Sequence, residues 1–137
     1  MEKRIDPGNS RIHAERQMSR ILIIDDDHAF RAVLERMLKS ANHEVILAAD
    51  GDEGLNQLKK LPPALVITDL FMPNKDGIET IIHLRKIYPV LPIIAISGKP
   101  AGSVVLSVAK KLGAAAVLEK PFSIEDLLTA VDRALAQ

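Results

Sequence analysis

Three consecutive aspartates, Asp25, Asp26 and Asp27, close the apolar run "ILII". Asp69 closes "LVIT", Ser97 closes "IIAI", and Lys120 follows "AVLE". Brought to one place, these side chains would offer carboxylate oxygens, a hydroxyl and one point cation. Like charges need a reason to gather, because two carboxylates about 4 Å apart repel by about 4 kcal/mol at an effective dielectric of about 20. A helix N-terminus explains one of them, and Asp27 suits the N-cap of the segment that follows. Asp25 and Asp26 are better explained by a cation. Oxygen-only ligands suit Mg²⁺, which binds through a few carboxylates, waters and phosphate oxygens. A carboxylate beside such an ion can attack phosphorus and become an aspartyl-phosphate, with Lys120 pairing with the phosphoryl oxygens and Ser97 donating to another. Taken singly, Asp69 reads as a turn residue, Ser97 as a strand-end hydroxyl and Lys120 as a solvated lysine. Only the constellation gives them a shared chemistry.

That constellation requires elements that end side by side. From residue 21 short apolar runs alternate with segments of helical period. The runs "ILIID", "HEVILAAD", "ALVITDL", "LPIIAIS" and "AAVLEK" predict five strands. Between and after them, "HAFRAVLERMLKSAN", "GDEGLNQLKKL", "IETIIHLRKIY", "SVVLSVAKKLG" and "SIEDLLTAVDRALAQ" predict helices. Phe30, Val33, Leu34, Met37 and Leu38 share the first helix's apolar face, and Leu55 and Leu58 the second's. Ile78, Ile81 and Ile82 line the third, and Val104, Val105, Val108, Ala109 and Leu112 the fourth, with Leu106 off that face. Ile124, Leu127, Leu128, Val131 and Leu135 line the last. Gly113 suits a C-cap and Ser123 an N-cap. Strands apolar on both faces, separated by amphipathic helices, imply a doubly wound α/β fold with a parallel sheet covered on both sides. Sites in such sheets lie beyond the carboxyl ends of the strands, where Asp25, Asp26, Asp69, Ser97 and Lys120 fall.

Composition narrows the function classes. The 137 residues carry 18 basic and 18 acidic side chains, so net charge gives no case for nucleic acid or an anionic membrane as partner. Cysteine is absent, which excludes disulfides and thiolate metal sites. No apolar run approaches the length of a membrane span and no signal-peptide core opens the chain, so a cytoplasmic location is the default. Residues 1–19 are polar, contain the breaker cluster "DPGNS" and read as an extension of unknown role, while Met18 would itself make a plausible start. Residues 20–137 form the domain. His13, His28, His43 and His83 lack ligand spacing and are expected at the surface.

The segments "ILIIDDD", "VITDLFMPNKDG", "IIAISG" and "LEKPF", in this order from about residue 20 to the end, resemble the receiver domain of two-component response regulators. The resemblance implies five parallel strands in the order 2-1-3-4-5. By position it makes Asp69 the phosphoacceptor and assigns Mg²⁺ to Asp26 directly, to Asp25 largely through water, and to Asp69 and the backbone carbonyl of Phe71. Ser97 becomes the switch hydroxyl and Lys120 the phosphate-pairing lysine. Lys120–Pro121 becomes a cis peptide, and Pro73 and Gly77 shape the loop after the acceptor. The implied partners are a sensor histidine kinase or a histidine phosphotransfer protein, and an output protein met through the fourth helix and the elements after it, where Leu106 could serve as an anchor. The implied role is regulatory, the chain catalysing only its own phosphorylation and dephosphorylation. The chain departs from the family at Val117, where receivers commonly place an aromatic that turns inward on activation. Two rival readings stand beside this one: a binding module that does not switch by phosphate, and an aspartyl-phosphate phosphohydrolase. No DNA-binding or enzymatic output domain is expected within these residues.

Overall fold

The computed structural model describes residues 18–70, 77–98 and 103–136, without the side chains of 103–106. Five strands, β1 (Arg20–Ile24), β2 (Glu44–Ala48), β3 (Leu65–Asp69), β4 (Ile93–Ser97) and β5 (Ala116–Glu119), form one sheet in the order β2-β1-β3-β4-β5. Every pairing is parallel. The helices are α1 (His28–Ser40), α2 (Gly51–Lys60), α3 (Gly77–Ile87), α4 (Ser103–Lys111) and α5 (Ile124–Leu135).

Alternation along the strands divides the core in two. Ile21, Ile23, Leu65, Ile67, Ile94 and Ile96 face Leu34 and Leu38 of α1 and Leu127, Val131 and Ala134 of α5. Leu22, Ile24, Val66, Ile93 and Ala95 face the opposite way, onto Leu58 of α2, Ile81 and Leu84 of α3 and Ala109 of α4. A side chain pointing to alternate faces with period two, in strands buried on both, requires helices on both sides. Burying each of these leucines and isoleucines contributes about 1.5–3 kcal/mol, enough to hold a few acidic groups in the same wall.

The helix ends follow local chemistry. Asp27 caps α1 by accepting from the Phe30 N–H at 3.1 Å, and Ser123 caps α5 within a reciprocal box with Asp126. α4 ends as expected at Gly113, whose φ of +91° suits a residue without a Cβ, with Ala114 N–H donating back to Ala109. Helix α1 stops at Ser40 rather than running to Asn42. Asn42 adopts a φ of 69°, and the N–H groups of Asn42 and His43 donate to Lys39 and Leu38, closing the helix as a left-handed cap.

Four expected core positions face outward: Val33, Ile82, Val108 and Ile124 are exposed, while neighbouring rows of the same helices, such as Leu34, Ile81, Ala109 and Leu127, are buried. His43, expected at the surface, is buried, with Nδ1 accepting from the Ser19 N–H at 3.2 Å across the entry to β1 and β2. His28 and His83 are exposed as expected, and His13 lies outside the described residues. The side chains of Val104, Val105 and Leu106 also lie outside them; of the rest of that face, Ala109 is buried, Leu112 half-buried and Val108 exposed.

Candidate functional site

The carboxyl ends of β1, β3, β4 and β5 meet at one rim. Asp25 follows β1 directly, and its N–H continues the ladder by donating to the Ala48 carbonyl at 3.1 Å. Its side chain is only 1% exposed. Oδ1 accepts from the Asp27 N–H at 2.8 Å, while Oδ2 accepts no hydrogen bond from the described residues. Asp26 is exposed beside it. Asp69, the last residue of β3, is buried, and the Leu70 N–H donates to the Ile96 carbonyl at 2.8 Å, keeping β3 and β4 paired past the acid. Carboxylate oxygens of Asp25, Asp26 and Asp69 lie within 4.8 Å of one another.

Lys120 answers that charge. Its Nζ lies 3.4 Å from Asp69 Oδ2 and 3.8 Å from Asp25 Oδ2. The backbone carries it there: β5 ends at Glu119, the Lys120 N–H donates to the Ser97 carbonyl at 2.8 Å, and the Lys120–Pro121 peptide is cis as expected. One cation does not neutralise the cluster. Burial pushes the Asp25 carboxyl up to about 6, helped by the nearby Asp69 charge and opposed by the Asp27 N–H and Lys120.

Ser97 ends β4 one residue beyond Ile96, the register partner of Asp69, and is fully buried with its hydroxyl donating to the Gly98 carbonyl at 3.1 Å. Gly77 opens α3 against the end of β3. A Cβ there would strike the Asp69 carbonyl oxygen and come within 2.5 Å of Leu70 Cα, so only glycine permits this approach. Phe71 and Pro73 lie outside the described residues. Val117 is half-buried on the face of the sheet that carries α3 and α4.

Two further groups belong to the rim that the sequence does not mark as site residues. Arg31 donates to the Asp25 carbonyl at 2.7 Å and contacts His28 Nδ1 at 2.9 Å; a guanidinium cannot accept, so Nδ1 does, and the ring proton resides on Nε2. Phe30 places its ring under the Lys120 ammonium, 4.0 Å from centroid to Nζ. It reads in the sequence as one more apolar residue on a helix face, and its only local signal is an aromatic one turn after the acidic run.

The site fits a hard cation: three carboxylates, one carrying a buried oxygen without a donor, and no sulfur or imidazole among the clustered groups. A sequence model described as "Response regulator receiver domain" matches residues 21–132. The chain belongs to that family. The receiver is 38% identical over 109 residues to response regulator MprA of Mycobacterium sp. (strain KMS), covering 80% of this chain and 47% of that protein. It is 34% identical over 117 residues to the DNA-binding transcriptional regulator NtrC of Bradyrhizobium sp. (strain RP501 Parasponia), covering 85% of this chain and 24% of that one. The chain thus spans between a quarter and a half of these relatives, and the DNA binding named for NtrC is said of that longer protein. Among solved structures, Vibrio cholerae chemotaxis protein CheY4 superposes with a TM-score of 0.80 at 31% identity, covering 87% of the receiver and all of CheY4. The fold expected from the resemblance, including the 2-1-3-4-5 order, is the fold observed. No helix among the described residues is long and apolar enough to cross a membrane.

Proposed function

We propose that this response regulator receiver, a module of two-component signalling, accepts a phosphoryl group on Asp69 from the phosphohistidine of a sensor kinase or a phosphotransfer protein. The observation that carries this is the Lys120 ammonium, held 3.4 Å from Asp69 and 3.8 Å from Asp25 at the mouth of the acidic cluster. In the transfer an Asp69 carboxylate oxygen bonds to phosphorus while the phosphorus–nitrogen bond of the donor breaks, returning neutral imidazole once a proton is taken up. Hydrolysis later replaces the acyl-phosphate bond with water's oxygen and releases inorganic phosphate. Lys120 pairs with phosphoryl oxygens and draws away from the carboxylates it now faces. Ser97 turns its hydroxyl from the Gly98 carbonyl towards another oxygen. Asp25, Asp26 and Asp69 would hold Mg²⁺, with the Phe71 carbonyl as the further ligand that the family resemblance implies, and the bound ion would offset negative charge on the incoming group.

Residues 20–137 are the receiver unit and residues 1–19 an extension of it. Output runs through protein–protein contact in the cytoplasm, and any nucleic-acid contact falls to a partner or a joined output domain rather than to the receiver surface. A second reading is favoured by Val117: with a valine where receivers commonly carry an aromatic, the chain would bind its partner without switching on phosphate.

Intact-protein mass after incubation with acetyl phosphate, with and without Mg²⁺ and beside Asp69→Asn, decides between them. One phosphoryl adduct that requires both Mg²⁺ and Asp69 is expected. No adduct, together with no beryllofluoride-dependent NMR shifts, would leave the non-switching module, and steady turnover of a generic phosphate ester would point to a hydrolase.

A further inference from the structure

Lys120 meets an aromatic ring as well as the carboxylates. A lysine side chain has four rotatable bonds and high rotamer freedom, and its ammonium is strongly hydrated, yet Nζ is held near both Asp69 and Asp25. The described contact on its remaining side is an aromatic one: Nζ lies 4.0 Å from the centroid of Phe30. The face of a phenyl ring is the negative end of its quadrupole and attracts a cation within about 6 Å. The Phe30 ring is itself braced, because Phe122 meets it edge-on with centroids 5.8 Å apart and planes at 88°.

The brace and the acidic cluster share one backbone. Asp27 donates its N–H to Asp25 and accepts from the N–H of Phe30, so the ring is positioned from the same six-residue junction (Asp25–Phe30) that positions a cluster carboxylate. Phe122 sits two residues past Lys120 at the entry to α5. Val117 on β5 brings no ring to this face and packs instead with the α3 and α4 side. The aromatic surface that meets the lysine therefore comes from α1 and the β5–α5 junction.

We infer that Phe30, braced by Phe122, is a positioning residue that holds the Lys120 ammonium over the phosphoacceptor carboxylate. This inference rests on the phosphoacceptor function proposed above. The ring touches no reacting atom. It acts by narrowing where the cation can be before the phosphoryl group arrives, so that less order must be imposed during transfer.

The test is the rate of acetyl phosphate labelling of the full chain at saturating Mg²⁺, in wild type, Phe30→Leu, Phe30→Tyr, Lys120→Met and the Phe30→Leu/Lys120→Met double variant. Phe30→Leu should label about 3- to 10-fold more slowly, while Phe30→Tyr, which keeps the ring face, should stay within about 2-fold of wild type. In the Lys120→Met background Phe30→Leu should have no further effect, because a residue acting through the ammonium has nothing left to act on. The upfield ring-current shift of the Lys120 Cε protons should be present in wild type and Phe30→Tyr and lost in Phe30→Leu, a signature that packing alone would not move. Equal labelling of wild type and Phe30→Leu, or an equal loss in both lysine backgrounds, would overturn the inference while leaving the phosphoacceptor reading intact. Failure of wild type itself to label, together with no beryllofluoride-dependent NMR shifts, would overturn that reading and this one with it.

Discussion

The two edges of the sheet treat charge in opposite ways. At the carboxyl edge, Asp25 keeps a buried oxygen with no donor among the described residues, and Lys120 stands between two acids at distances longer than a good hydrogen bond. At the amino edge, Arg85 near the end of α3 donates to the carbonyls of Leu91 at 2.6 Å, Gly113 at 2.8 Å and Leu112 at 3.2 Å, with longer contacts to Tyr88 and Pro89. One guanidinium thereby ties the end of α3, the approach to β4 and the end of α4. A polar group whose donors are already bonded to backbone carbonyls supports structure. One with capacity left over can take a ligand, at a cost to stability. The comparison explains why charge at one edge is read as chemistry and charge at the other as architecture.

The largest loss is expected from Arg85→Ala. It should destabilise the receiver by about 3 kcal/mol, the scale of several charged-donor hydrogen bonds lost at partly buried carbonyls. Urea unfolding would read this as a lower midpoint at unchanged slope, with Asp69 labelling at the wild-type rate. A loss under about 1 kcal/mol would mean the amino edge is not held by this residue.

Asp25→Asn should act in the opposite direction. Its carboxyl is raised from 3.8 to about 6 in the folded chain, so between those values the folded state keeps a proton that the unfolded state has lost. Stability without metal should therefore fall as pH rises from about 4 to about 6, by about 2 kcal/mol, and remain lower above that. Asp25→Asn should remove most of this fall, melting above wild type at pH 7.5 and close to it near pH 4. Mg²⁺ at ten times its Kd should return about 1.4 kcal/mol to wild type at neutral pH, and much less to the variant. A flat wild-type pH profile would show that the cluster is not strained.

The smallest effect is expected within the reactive edge. Ser123→Ala removes the α5 cap and should cost about 1 kcal/mol in thermal or urea unfolding, with labelling unchanged. Ser123 is committed to its cap, accepting from the Asp126 N–H at 3.0 Å, even though α5 begins beside the site. Edge position alone, on this view, does not make a residue functional.

Much of this was legible in the sequence, for identifiable reasons. Short continuous apolar runs ending in Asp25, Asp69 and Ser97 announce strands buried on both faces, and the polar residue at each of those ends announces the rim. The resemblance supplied the strand order, which local pattern cannot. What escaped was set by contacts across the fold. His43 carries no ligand spacing, and its burial depends on the Ser19 N–H at the neighbouring strand's entry. Arg85 in a last helical turn reads as a solvated dipole partner, because the carbonyls of Leu112 and Gly113 are far along the chain. Phe30 was visible as a core residue and its second face was not, since Lys120 reaches it only once β5 is in place. Val33, Ile82, Val108 and Ile124 lie outside the core because helical spacing defines a stripe wider than the one that packing uses.

The junction between β1 and α1 has a consequence for how this chain can change length. Asp25 accepts from Asp27, Asp27 accepts from Phe30, and Arg31 returns a backbone donor to Asp27 and a side-chain donor to Asp25. These bonds fix the spacing between Asp25, Asp27, Phe30 and Arg31. An insertion or deletion there would displace the cap, the acid and the ring together, so this short stretch should tolerate substitutions in composition far better than any alteration in count.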